Sequence, residues 1–432
     1  MSGRTGINVG LMGLGVVGGG VASALLQDPS TVTARVGIPV NLRRVLVRDR
    51  SRPRDIELPP GMLTANAEDI LDDPDIDILI EVMGGSDPAA AYFRRALSSG
   101  KHVVSANKEV MAKEGADLMA LARANHVSLL FEASVGGGIP IVGCLMNELA
   151  ANDVYSIRTI INGTTNFILT RMAHQRTAFA DALSEAQGLG YAEADPTNDV
   201  EGIDAAYKLT VLATLAYGCR FSPDDVFRQG ISALEPQDFR YAEEFGYAIK
   251  SLAIADQNGE QVQLRVYPAL VPFDNMLANV NGVYNAVEVH GSLCGQVLFH
   301  GMGAGRGPTT SAVLGDLVET ARLVRDSAVP GGPRELSQHL GVRPIDALRT
   351  RYYIRLIVAD QAGVLAQIAR ALGDEDISIA SVLQKDADAE TQSAEIVIMT
   401  HPALESSVQQ ALLTIGRLDP VRRVGNMLRI EE

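Results

Sequence analysis

The chain has 432 residues, 47% of them hydrophobic, and carries 37 Lys and Arg against 52 Asp and Glu, a formal net charge of −15. That length accommodates two or three domains, each with its own core. The acidic balance argues against nucleic acid as a partner, because phosphate binding needs a basic face. No apolar run reaches the roughly 18 residues of a membrane helix, so no membrane partner is expected. The opening M-S-G-R-T-G-I-N-V-G runs straight into a strand-like segment, and no signal peptide is expected. Cys144, Cys219 and Cys294 make no metal-spaced pair and no even disulfide set, which suits a reducing cytoplasm.

In chain order, residues 1–150 alternate short apolar runs with helical patterns, as a parallel α/β sheet requires. Strands are predicted at Ile7–Met12, Leu42–Val47, Ile76–Val82, His102–Ser105 and Ser128–Phe131, and helices at Val17–Leu26, Pro88–Ser99 and Val110–Ala124. Gly13-Leu14-Gly15-Val16-Val17-Gly18 closes the first strand and opens a helix, a Rossmann-type dinucleotide signal. Gly13 makes the tight turn, Gly15 lets backbone approach a pyrophosphate, and Gly18 lets helix pack on strand. The second strand ends Arg48-Asp49-Arg50. Arginines there favour the 2′-phosphate of NADP, while Asp49 leaves NAD open. Ser105-Ala-Asn107-Lys108-Glu109 ends a further strand, where ligands of open α/β sheets gather; a lysine at that place also fits an ordinary surface charge. In Phe131-Glu132-Ala-Ser-Val135-Gly-Gly137-Gly-Ile139-Pro, one carboxylate precedes flexible backbone, which suits a hard cation that takes carbonyl oxygens. A glycine-rich strand-to-helix turn accounts for the same residues.

Residues 151–309 read as an α+β substrate and dimerisation domain, with strands at 153–162, 262–271 and 283–290 and helices at 166–188 and 201–217. A glycine-rich return at 301–310 precedes a helix at 310–325 that is expected to pack back on the first domain. Glu193, Asp195, Asp199, Glu201, Asp204 and Lys208 crowd one short stretch after the turn G-L-G-Y. Carboxylates so close to a lysine can bind an ammonium and move a proton. Asp204 and Lys208 are four apart, so on a helix they share a face; taken alone, that spacing equally describes a surface ion pair. Ala205, Ala206, Leu209, Leu212 and Leu215 make the helix apolar, which sets Lys208 at the border of a cleft and lowers its pKa toward the range of proton exchange. Residues 326–349 read as a linker. Residues 350–432 follow the order βαββαβ of a ferredoxin-like unit, with strands Tyr352–Ala359, Ile377–Gln384, Ala394–Thr400 and Val421–Arg429.

Taken together, the segment Y-S-I-R-T-I-I-N-G-T-T-N, the run from G-L-G-Y-A-E to Lys208, and S-A-N-K-E resemble the homoserine dehydrogenase family. The turn from Asp360 to Ile368 resembles an ACT domain, a small-molecule sensor of amino-acid enzymes. The resemblance implies NAD(P)-dependent interconversion of L-homoserine and L-aspartate 4-semialdehyde in threonine, methionine and isoleucine biosynthesis. It implies Lys208 as proton donor and acceptor, and Lys108 between cofactor and substrate. Glu193 and Asp204 would hold the substrate's amino and hydroxyl groups, with Asp199 supporting and Thr165 facing the same pocket. Gly190 and Gly303 would lie on the nicotinamide side, and Ser105 would belong to the cofactor site. A monovalent cation, sodium in the family, would sit on Glu132 and the carbonyls of Val135, Gly137 and Ile139 in a structural role. L-threonine is the expected effector of the ACT domain, and a homodimer or homotetramer the expected assembly. No kinase domain precedes residue 1, so the monofunctional form is expected. Two other readings stand beside this one. A semialdehyde dehydrogenase forming an acyl phosphate would need a thiolate nucleophile, and an amino-acid sensor would keep the ACT unit with a vestigial Rossmann domain.

Overall fold

A computed structural model of the chain describes residues 5–330, 336, 339–385 and 392–431. The chain divides into two compact units. The first comprises Met1–Ile157, Tyr207–Asp225 and Asn285–Leu340; the second comprises Arg158–Ala206, Val226–Tyr284 and Gly341–Glu432. Part of the expected linker, residues 331–335 and 337–338, lies outside the described residues.

The first unit is built on six strands: β1 (Ile7–Met12), β2 (Val40–Leu46), β3 (Leu63–Thr64), β4 (Ile78–Glu81), β5 (His102–Ser105) and β6 (Leu129–Leu130). Their order is β3-β2-β1-β4-β5-β6, parallel throughout. This is the doubly wound Rossmann order, and its direction reverses between β1 and β4, where ligands of such sheets bind beyond the carboxyl strand ends. Runs such as Ile78-Leu79-Ile80 are buried completely because helices cover both faces. Val21 and Leu25 of helix Val16–Leu26 pack on Ile7, Val9 and Leu11, and helix Arg306–Asp326 adds Val313, Leu317 and Ala321 to the same core.

In the second unit, strands Tyr247–Asn258 and Gln261–Pro272 form a long antiparallel hairpin. Its two-residue turn starts at Gly259, which takes a φ of +61° that a side chain would resist. The strand Tyr247–Asn258 is absent from the sequence reading. Its alternation is interrupted by Lys250, which is buried. The helix expected over 166–188 is two helices, Gly163–Gln175 and Phe179–Gly188, broken at Arg176 with a φ of +56°. No glycine or proline marks that break.

Residues 349–430 form the βαββαβ module, with strand order Val421–Ile430, Arg349–Ala359, Ser393–Thr400, Ile379–Gln384. Helices Val364–Gly373 and Glu405–Ile415 cover one face around Ile354, Leu356, Ile368 and Ile398. The structure does not set this module apart. Leu270 and Ala269 of the long hairpin pair in parallel with Ile430 and Arg429, so one sheet runs through both. Tyr353, Val397, Met399 and Leu428 on its other face share a core with Phe239, Tyr241 and Ile168. An open sheet face of that size has to be covered, and here the helices of the same unit cover it. Fully buried Arg355 ties the two parts further, donating from Nε to Asp238 at 2.7 Å and from Nη2 to Glu235 at 2.7 Å.

Candidate functional site

The first unit holds a cofactor-shaped turn. Gly13 has a φ of +100°, and a Cβ there would stand 2.9 Å from the Val82 carbonyl oxygen. A Cβ on Gly18 would stand 2.1 Å from the Gly13 oxygen, which is how close helix and strand come. Gly15, by contrast, has nothing within 4 Å of where a side chain would begin, and Gly15 and Val16 are exposed between half-buried Leu14 and Val17. Such an open helix start offers backbone N–H groups to a phosphate.

Beyond β2, Arg48 and Arg50 are exposed. Asp49 does not reach outward: its carboxylate accepts from Ser51 N at 2.8 Å and Ser51 Oγ at 2.6 Å, and these bonds hold it below its usual pKa. Arg54 donates to the carbonyls of Asp49 and Arg52 and so folds the loop. Arg50, Arg52 and Arg54 line a cavity of about 600 Å³ there, and Arg48 is not part of its lining.

At the ends of β4 and β5 lies a network that the sequence reading missed. Glu81 is fully buried and accepts from Met83 N at 2.7 Å and from Ser105 Oγ at 3.0 Å. Asn107 donates from Nδ2 to the Gly85 carbonyl at 2.7 Å and to Glu81 at 3.4 Å. Its Oδ1 accepts from Val110 N at 3.1 Å, capping helix Lys108–Ala124. Burial pushes the Glu81 acid up, against those donors. Half-buried Lys108 is thereby fixed as the first residue of the helix, at the end of β5.

Glu132 spends its carboxylate on the start of helix Val142–Met146. It accepts from Ile141 N at 2.7 Å, Val142 N at 2.9 Å and Gly143 N at 2.6 Å. Burial pushes its acid up, and buried Asp316, which accepts from Glu132 N at 2.9 Å, is pushed up for the same reason. Gly136 and Gly137 turn the following chain with φ of +74° and +55°. A Cβ on Gly137 would stand 2.5 Å from the Gly303 oxygen, so the loop and Gly303 lie against each other. A carboxylate has about four acceptor positions, so three N–H donors leave Glu132 capacity for a cation alongside nearby carbonyls. Among the described residues no cluster of His, Cys, Asp and Glu could hold a metal by side chains alone.

The second unit gathers the carboxylates. Asn162 caps helix Gly163–Gln175, its Oδ1 accepting from Thr165 N at 2.8 Å. Its Nδ2 donates to Asp199 Oδ1 at 2.7 Å and to Asp204 Oδ2 at 2.8 Å. Thr165 is buried and spends its hydroxyl proton on the Asn162 carbonyl, so it shapes the turn rather than presenting a donor. Gly190 turns G-L-G-Y with a φ of +77°, leaving Leu189 and Tyr191 exposed. Thr164 Oγ1 anchors that turn on the Tyr191 carbonyl at 2.8 Å, and Gln187 Nε2 holds the Glu193 carbonyl at 3.0 Å, leaving the Glu193 side chain exposed. Helix Ile203–Tyr217 carries buried Asp204 and half-buried Lys208. Lys208 belongs with Lys108 to the first unit, and Glu193, Asp199 and Asp204 to the second.

Cys144 and Cys219 are poorly placed as nucleophiles. Cys219 is buried, and burial with Glu148 and Glu132 nearby pushes the Cys144 thiol up, away from the thiolate that acyl transfer needs. Among the described residues no helix is long and apolar enough to cross a membrane.

Comparison with known proteins agrees with this geometry. Family models described as "Homoserine dehydrogenase, NAD binding domain", "Homoserine dehydrogenase" and "ACT domain" match residues 13–132, 140–318 and 352–419. The chain is 40% identical over 430 residues to a homoserine dehydrogenase of Neisseria gonorrhoeae, covering 98% of each. Among solved structures it is similar to a homoserine dehydrogenase from Thiobacillus denitrificans, with TM-score 0.92 and 43% identity over 99% of this chain and 98% of that one. A hyperthermophilic archaeal homoserine dehydrogenase in complex with NADPH matches at TM-score 0.61 and 27% identity, over 73% of this chain and 97% of that one.

Proposed function

The chain belongs to the homoserine dehydrogenase family, and on that premise we propose how its residues carry the oxidation of L-homoserine to L-aspartate 4-semialdehyde and its reverse. The nicotinamide cofactor, when bound, accepts or supplies the hydride. Lys208, half-buried on helix Ile203–Tyr217, takes the hydroxyl proton in oxidation and returns it in reduction. Lys108 polarises the reacting oxygen from the start of its helix. Glu193 and Asp204 hold the substrate's ammonium and hydroxyl, with Asp199 in support. Gly13, Gly15 and Gly18 carry the pyrophosphate, Ser105 borders the cofactor, and Gly190 and Gly303 face the nicotinamide. Glu132 and the carbonyls of Val135, Gly137 and Ile139 hold a monovalent cation, sodium by family habit, that stiffens the loop against Gly303.

The observation that carries this reading is the amide of Asn162 drawing Asp199 and Asp204 together, carboxylates for the substrate's polar groups in a chain whose Gly15 turn stands open to a phosphate. The test is nicotinamide absorbance with L-homoserine and NADP or NAD. Turnover that needs homoserine supports the reading, and silence with both cofactors overturns it. NADP is the preferred cofactor in this proposal: Arg48 and Arg50 stand ready for a 2′-phosphate, while the Asp49 carboxylate is used within its own loop. The enzyme acts in the cytoplasm as a homodimer or homotetramer, which sedimentation of the purified chain would check.

L-threonine is the proposed effector of the ACT module. In the turn Asp360-Gln361-Ala362-Gly363, Gly363 takes a φ of +87° just before helix Val364–Gly373, a start that can receive an amino-acid carboxylate. Initial rates of the whole chain with and without threonine test this, and indifference overturns it. Truncation is a poor test, because removing the module would strip Asp238 of Arg355 and Leu270 of its strand partner.

A further inference from the structure

We infer that Asn162 is a positioning residue of the reaction, a single amide that fixes Asp199 and Asp204, two of the carboxylates assigned above to the substrate. This deepens the substrate reading above and rests on it. Asn162 is only 6% exposed and uses every strong hydrogen-bonding group it has. Oδ1 accepts from Thr165 N at 2.8 Å, and Nδ2 donates to Asp199 at 2.7 Å and to Asp204 at 2.8 Å. The two carboxylates lie 37 and 42 residues along the chain from this amide.

The orientation of the amide follows from its partners. Turned over, Nδ2 would meet the Thr165 N–H donor and Oδ1 would meet two carboxylates, replacing three attractions with repulsions. The cap therefore dictates which way the donors point. An aspartate would keep the helix cap, since Asp and Asn cap equally well, while losing both donors and adding a third negative charge.

That difference makes Asn162→Asp a clean separation of the structural and positioning roles. The variant is expected to melt lower than the parent, because a third carboxylate joins two others at a site only 6% exposed, and to keep its KM for NADP within about twofold. Its KM for L-homoserine should rise roughly tenfold to a hundredfold, the usual scale for hydrogen bonds lost to charged groups. Its kcat/KM profile should shift toward acid, because a protonated carboxyl at that place can donate again to one of the two aspartates. Should that variant fail to fold, Asn162→Ser, which also caps but is too short to reach both carboxylates, carries the same KM expectation. An unchanged homoserine KM in the folded variant overturns the inference. Asp204→Asn, measured alongside, separates the two levels. If it too leaves the homoserine KM unchanged, the substrate reading of the carboxylates falls and the inference with it. If it is impaired while Asn162→Asp is normal, the inference alone falls.

Discussion

Asn107 and Asn162 do the same local job in two different regions. Each follows a strand, caps the next helix through Oδ1 onto the N–H three residues on, and turns Nδ2 toward carboxylate. What they hold differs. Asn107 faces one acid, Glu81, which is fully buried and which burial pushes up against the neutral donors around it. Asn162 faces two acids, half-buried Asp199 in the short helix Thr197–Val200 and buried Asp204 in the first turn of helix Ile203–Tyr217. A lone buried acid held by neutral donors braces a turn, here the turn that carries Lys108. Asn162 instead ties together two acids that lie 37 and 42 residues further along the chain. The same cap thus braces one turn in the first unit and gathers two distant carboxylates in the second.

The largest effect is expected where the proton moves. Lys208→Ala should lower kcat by about a hundredfold or more with little change in cofactor KM; a near-normal kcat would return Lys208 to the surface of its helix. Next, Asn107→Asp should raise the KM for NADP about tenfold and leave the homoserine KM nearly alone, the mirror image of Asn162→Asp. If both variants impair the same substrate, the division of labour between the caps fails. Smaller still, Arg48→Ala should weaken NADP several-fold more than NAD, roughly the worth of one charge-assisted phosphate contact. Equal loss for both cofactors would pass that role to the arginines of the neighbouring cavity.

The smallest effect is one of stability, and it concerns a cation placed without a carboxylate in its hydrogen bonds. Lys250 donates to the Val280 carbonyl at 2.6 Å and to Asn281 Oδ1 at 2.8 Å, and burial lowers it to about 8 from 10.5. Between those two values the unfolded chain binds the proton that the folded chain has released, so Lys250 makes stability rise with pH across that window. Lys250→Met should flatten this rise, with its melting temperature gaining about a few degrees on the parent near neutral pH. A parallel pH dependence in parent and variant would show that the lysine keeps its proton when folded.

Much of the chemistry was legible because it is local. Gly13, Gly15 and Gly18 announce themselves by spacing, and the structure shows why each differs: one turn, one open approach, one close packing. The carboxylate run near Lys208 was legible for the same reason, as side chains set close together along the chain, and Lys108 by its place after a strand end. Asn162 carried a readable signal too, a capping residue three before Thr165 at the junction of strand and helix. Its partners did not, because Asp199 and Asp204 come from far along the chain.

Sequence by itself determined the class of fold, most of the elements of the first unit and of the C-terminal module, and the kind of chemistry, since periodicity and short motifs depend only on neighbours. Tertiary structure alone decided that Glu81 sits under Ser105 and Asn107, and that the ACT strands continue the sheet of the long hairpin. Those outcomes are settled by which unsatisfied edge, face or polar group finds its complement when distant segments meet. A buried donor or acceptor without a partner costs too much to persist, and the partner's position along the chain leaves no trace in the residues around it.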